Sequence, residues 1–364
     1  MGDRTSIEWA EATWSPTRGC SRVSAGCGGS DGGGCYAERQ AHRFSGPGQP
    51  YEGLTRLTSG GPRWTGDVRL VPSMLDLPLR WKKPRRIFVD SMSDLFHEKL
   101  SNKDIAAVFG VMAACPQHTF LVLTKRAQRM RQWFEWVVAD GQYPMDHGWP
   151  LTPIERCRQA LFDAGPVRQD RAMQKRWPLP NVWLGVSVED QATADERISH
   201  MLRCSAAVLW ISLEPQIADV RFRPEWLRDQ PCAPPCGPPI RHRGISWVVQ
   251  GGESGPGARA FDLAWARSVR DQCKAAGTAY FLKQLGAHPG ETMLTTDRRT
   301  SGEALADIGT SGMLEKLRQI PPGWTLTHVP DGPPRLGRHL RLRDRKGGDM
   351  AEWPEDLRVR EYPR

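Results

Sequence analysis

The stretch "NVWLGVSVEDQATADERISHMLRCSAAVLWISLEP", Asn181 to Pro215, decides the fold. It opens on one apolar run, Val182–Val186, closes on another, Val208–Leu213, and carries helical spacing between them over Ala192–Leu202. Each run is almost continuously hydrophobic, which predicts a parallel strand covered on both faces rather than a half-exposed antiparallel one. Each also ends in polar residues, Ser187 and Glu189 after the first, Ser212 and Glu214 at the end of the second. Strand, helix and strand in this order make a right-handed βα unit.

The same form recurs on both sides. Ile87–Asp90 ("RIFVDSMSD"), Thr119–Leu123 ("HTFLVLTKR"), Ile245–Val249 ("ISWVVQGGESG") and Ala279–Leu282 ("TAYFLKQLG") read as strands, with helices over Asn102–Ala114 and Leu263–Ala276. Adding Ser6–Trp9 and Val68–Val71 predicts eight strands. The fold class is therefore α/β, a TIM-type or partly open parallel (β/α) barrel over residues 1–286. A doubly wound open sheet is the alternative, but no G-x-G-x-x-G follows the first strand. Three stretches break the repeat. Residues 136–180 read as an inserted lid or loop with a helix near Ile154–Ala164. Residues 224–243 are a proline-rich excursion, and 287–364 a polar, arginine-rich C-terminal extension.

With 364 residues, 39% hydrophobic and 25% charged, the composition is that of a soluble globular protein. No run approaches the roughly 18 apolar residues of a membrane span, and the N-terminus lacks the apolar core of an export signal. A cytoplasmic location is expected, where nine cysteines point to metal binding or catalysis rather than to disulfides. A net charge of +9 permits a polyanionic partner, a nucleotide or a nucleic acid, without demanding one.

Chemistry concentrates in "GCSRVSAGCGGSDGGGCYAERQAHRF", Gly19 to Phe44. Cys20, Cys27 and Cys35 are spaced C-x6-C-x7-C in a glycine-rich loop after the first expected strand, where a parallel barrel builds its active site. A tetrahedral zinc site with His42 as fourth ligand is one reading, although zinc hooks are usually closer spaced. Unrelated buried thiols are another, but those belong on apolar faces. An iron–sulfur cluster fits best, because thiolates ligate such clusters and three ligands leave one iron open. Cys35 opens the helix "YAERQAHRF", whose positive end favours a thiolate. Cys232 and Cys236, with Pro234 and Pro235 between them, are candidates for a second metal.

The ordered motifs "IEWAEATWSPTRGC", "CYAERQAHRF", "VDSMSDLFHE", "VLTKRAQRM", "NVWLGVSVED", "ISLEP", "VVQGGESGPGAR" and "FLKQLG" resemble a family of phage and prophage proteins of poorly defined function, regarded as relatives of radical S-adenosylmethionine (SAM) enzymes. That resemblance implies a (β/α) barrel with a [4Fe–4S] cluster on Cys20, Cys27 and Cys35, whose open iron chelates the amino and carboxyl groups of SAM. It also implies reductive cleavage of SAM, hydrogen abstraction from a substrate, and a reductant such as a flavodoxin or ferredoxin. In the common family form the last two cysteines are C-x2-C; here seven residues separate them. A phage-encoded chain would work in the host cytoplasm.

Polar residues at strand ends are the candidates for the cofactor cage: Ser91, Asp94, Lys125, Ser187, Glu189 and Glu214, with Glu253 and Lys283 as catalytic candidates. The expected function is a radical-SAM enzyme acting on a nucleotide or on a DNA or RNA base. The alternative is a non-catalytic zinc or iron–sulfur protein that binds nucleic acid.

Overall fold

The computed structural model describes residues 5–28, 35–139, 151–165, 172–231, 241–255, 257–293, 325–329 and 332–363. Seven strands form its central sheet: β1 (Ala12–Trp14), β2 (Arg86–Val89), β3 (Thr119–Thr124), β4 (Val182–Ser187), β5 (Val208–Leu213), β6 (Ile245–Gly251) and β7 (Ala279–Gln284). They lie side by side in chain order and every neighbouring pair is parallel. The sheet curls into a half-barrel.

Two apolar populations explain the curl. Alternate residues such as Val122, Leu184, Ile211 and Leu282 point outward into the main core, against helices α2 (Asn102–Ala113), α3 (Ala127–Val138), α4 (Pro153–Asp163), α5 (Gln191–Met201) and α6 (Leu263–Ala276). Their neighbours point inward, where Leu121, Trp210, Trp247, Val249 and Phe281 gather around Trp9. The Trp9 ring meets Phe88 of β2 at 4.7 Å, Trp210 of β5 at 5.3 Å and Trp247 of β6 at 6.3 Å. One side chain reaches strands four places apart only if the sheet wraps round it. This aromatic floor fills the lumen near the strand N-termini. At Gly185 a Cβ would fall 2.5 Å from the Trp210 indole, so glycine there makes room for the floor.

Two expected strands lie outside the sheet. Trp9 packs into the lumen as part of a turn, and β1 starts at Ala12. Arg69–Leu70 pairs antiparallel with Thr17–Arg18 beside the barrel. The inserted segment, expected as a lid, is in its described part an outer-face element. Helix α4 lies on α2 so closely that a Cβ on Gly110 would meet the Cys157 carbonyl at 2.5 Å. Trp133, Trp136 and Trp177 belong to the same outer core.

After β7 the chain forms strands β8 (Pro289–Met293), β9 (Thr325–Val329) and β10 (Gly332–His339), which join Phe261–Asp262 in a small sheet. The last segment then returns to the barrel. Leu282 N–H donates to Val359 O (2.9 Å) and Glu361 N–H to Tyr280 O (2.8 Å), so these residues line the open edge of β7. Tyr362 lies on Trp247 (5.4 Å) and Phe281 (5.5 Å), and its hydroxyl reaches Glu8 O at 3.4 Å. The gap beneath β1 and β7 is thus covered. Among the described residues no helix is long and apolar enough to cross a membrane.

Candidate functional site

Above the aromatic floor the inward row turns polar. Lys125 follows Leu123 by two residues, Ser187 follows Gly185, Ser212 follows Trp210 and Lys283 follows Phe281, which keeps each on the lumen face. Ser187 and Ser212 are register partners. Lys125 Nζ donates to Ser187 Oγ (2.7 Å) and pairs with Glu189. Farther round, Lys283 Nζ meets Glu214 Oε1 at 3.1 Å, and Ser212 Oγ lies 3.4 Å from the other oxygen of that carboxylate. Of the strand-end residues named from the sequence, Lys125, Ser187 and Glu189 form one polar group on the lumen side, and Glu214 and Lys283 with Ser212 form a second.

The cysteine loop lies over this row and two buried groups fix it. Arg126, at the end of β3, is buried. Its guanidinium donates to Asp94 (3.0 Å), Glu98 (3.0 Å), Ser21 O (3.1 Å) and Ser21 Oγ (2.7 Å), and reaches Cys20 Sγ at 3.9 Å. Glu189, only 1% exposed, accepts from Arg197 (3.0 Å) and from Ser24 Oγ (3.1 Å) in the loop itself. Gly26 is pressed against it. Ser21 Oγ also contacts Nε2 of buried His97 at 3.0 Å. On the other side Arg22 forks onto buried Glu38 of α1 (Tyr36–His42) at 2.6 Å and 3.1 Å.

Cys20, Cys27 and Cys35 are free thiols, each partly exposed. Burial pushes Cys20 up to about 12, with Asp94, Cys27 and Cys35 adding to the rise and Arg126 opposing it. Cys35 also goes up: burial outweighs the backbone amides of Glu38 and Ala37. The helix-start amides act in the expected direction, towards the thiolate, but burial opposes them more strongly. His42 Nδ1 is bonded to Thr55 Oγ1 (3.0 Å) and Ser45 Oγ (3.3 Å). Among the described residues no three His, Cys, Asp or Glu side chains converge as the ligands of a single ion do. Cys232 and Cys236 lie outside the described residues.

Several named candidates are consumed locally. Asp94 accepts from Thr124 Oγ1 (2.6 Å), Phe96 N (3.0 Å), Lys125 N (3.1 Å) and Arg126, and so braces the strand end. At Ser91 the backbone carbonyl, not the side chain, is engaged: it accepts from the Tyr36 hydroxyl. Glu253 is held by Arg259 (2.7 Å) within its own loop.

One residue that the sequence reading passed over is Asp90, directly after β2. It is buried, sits at φ 57° in the left-handed region, and accepts from Thr17 N (3.2 Å) and Ser93 Oγ (2.9 Å) on one oxygen only. The other oxygen is buried with no partner among the described residues. Burial raises its pKa to about 7.

No curated protein and no solved structure matches the chain significantly. A family model described as "Protein of unknown function (DUF5131)" matches residues 4–313. With most of the chain matched, the protein belongs to the DUF5131 family.

Proposed function

We propose that this chain is a radical-SAM enzyme that holds a [4Fe–4S] cluster on Cys20, Cys27 and Cys35. The observation that carries the reading is the position of three free thiols on a loop anchored over the polar mouth of a parallel half-barrel. In such folds loops at the strand C-termini build the active site. When bound, a three-cysteine cluster with SAM supplies reductive cleavage of the sulfonium and hydrogen abstraction from a substrate.

The chain's own residues do the rest. Arg126 holds Cys20 and Ser21 in place and offsets the negative charge that three thiolates bring. The Lys125–Glu189–Arg197 group clamps Ser24 and keeps the loop on the sheet. Ser187, Ser212 and the Glu214–Lys283 pair offer donors and acceptors of the kind a nucleoside needs. The aromatic floor closes the lumen from below. The net charge of +9 is compatible with a nucleotide or nucleic-acid base as substrate. A low-potential protein such as a flavodoxin or ferredoxin would supply electrons.

Anaerobic reconstitution with iron and sulfide, followed by dithionite and SAM, tests this. The expected result is about four irons per chain and release of 5′-deoxyadenosine. Cys35→Ala should lose the iron, whereas Cys115→Ala in the core should keep it. Stoichiometric zinc with no SAM cleavage would overturn the reading in favour of a non-catalytic binding protein.

A further inference from the structure

Helix α1 starts at the residue after Cys35, and its two faces differ. Ala37, Glu38 and Ala41 are buried. Tyr36, Arg39 and Gln40, together with Arg43 at the helix end, are exposed. At 3.6 residues per turn these four share one face, which forms a stripe beginning at the thiols. Arg39 and Arg43, and Arg56 on the adjoining hairpin Thr55–Trp64, have no ion-pair or hydrogen-bond partner among the described residues. Local acid does not offset them, because Glu38 is taken up by Arg22 and Arg63. The Arg39 guanidinium ends 3.9 Å from where a Cβ on Gly255 would stand, so the stripe reaches across to the loop after β6.

Tyr36 is the informative member. Its residue surface is 55% exposed, yet its hydroxyl is tied down to Ser91 O. An aromatic face presented to solvent and held at its far end is a platform already ordered for stacking. Phe44 (50% exposed), just past the far end of the helix, and Leu57 (71%), on the hairpin, are further exposed apolar side chains.

We propose that this face docks single-stranded nucleic acid, with Arg39 and Arg43 on phosphates and a base stacked on Tyr36 beside the thiol mouth. The proposal deepens the radical-SAM reading by naming its substrate class, and rests on that reading for its catalytic purpose. Duplex bases are already stacked and do not offer a free π-face, whereas single strands do. A free nucleotide would call for an enclosing pocket, not an open helix face with spaced cations.

Fluorescence anisotropy with a labelled single-stranded DNA of about 16 nucleotides tests it on the full chain. Arg39→Ala/Arg43→Ala should weaken binding about tenfold and reduce the log K against log salt slope by about 1.4, two phosphate contacts at about 0.7 each. Tyr36→Leu should weaken binding about tenfold with the slope unchanged, and Tyr36→Phe should recover most of it. Lys82→Ala/Lys83→Ala removes the same charge before β2, at the opposite end of the sheet, and should bind as the parent does. The proposal is overturned if the Arg39/Arg43 variant binds within about twofold of the parent, or if the Lys82/Lys83 variant loses as much. It is also overturned if polyglutamate or phosphatidylserine vesicles compete as well as the oligonucleotide. A chain that binds DNA in this way but takes up no iron would refute the cluster and leave the docking face standing. Iron uptake and SAM cleavage with no DNA binding would do the reverse.

Discussion

Gly26→Ala probes the seating of the cysteine loop most directly. An added Cβ would stand 2.3 Å from Glu189 Oε1, 2.4 Å from its Cγ and 2.6 Å from its Cδ. Carbon contacts settle at about 3.5–4.0 Å, so one side must yield by about 1 Å. Glu189 cannot give way, because Arg197, Lys125 and Ser24 hold its carboxylate and the residue is buried. The loop must lift instead, at the cost of an overpacked core, about 1–3 kcal/mol. At 2 kcal/mol a local equilibrium moves by about 30-fold. The strain falls between Cys20 and Cys27. A lower urea midpoint, faster thiol labelling of Cys27 and less than half the parent's iron uptake should follow together. In a Glu189→Ala background the new methyl meets no carboxylate, so a double-mutant cycle should show a coupling of at least about 1 kcal/mol. A Gly26→Ala protein with the parent's urea midpoint and labelling rate would refute the seating described above.

Three further outcomes are expected. Asp90 keeps its proton up to about pH 7 when folded, against an ordinary 3.8; the native state binds more protons in that interval, so stability falls as pH rises through it. Asp90→Asn, which tolerates the left-handed backbone, should flatten urea midpoints measured between pH 5 and pH 8 and raise the value at pH 8. Arg126→Met strands Asp94 without its cation and should cost about 3–5 kcal/mol in urea unfolding, with Arg126→Lys recovering part of the loss. Tyr362→Ala uncovers Trp247 and Phe281 and removes the ring beneath the Arg86 guanidinium (4.4 Å); it should cost about 2 kcal/mol by the same assay.

The parallel strands were legible because burial on both faces leaves an unbroken apolar run. Val208–Leu213 and the helix Leu263–Ala276 have the bounds expected of them. Their polar ends were legible for the same reason: Lys125, Ser187, Glu189, Glu214 and Lys283 continue the inward alternation past the point where the floor stops. Ser6–Trp9 misled because a tryptophan buried in a turn carries the same hydrophobic signal as one in a strand. The helix Pro153–Asp163 was visible, but an amphipathic pattern does not say which surface it covers, and α2 supplied that. Asp90 was hidden because φ 57° is a backbone property that its neighbours do not encode; its one sequence signal is an acid immediately after "RIFV". The contacts of Arg126 with Cys20 and of Glu189 with Gly26 join residues far apart in sequence, and no local pattern reports them.

The hydroxyl of Tyr362 and the carbonyl of Glu8 are 354 positions apart along the chain. Closing so long a loop is entropically expensive and is repaid only after the intervening strands have found their register. The lower seal of the lumen should therefore be the last part of the protein to assemble and the first to breathe open. Because that seal is built on Trp9, Trp210 and Trp247, the opening would announce itself as a change in tryptophan emission that precedes global unfolding.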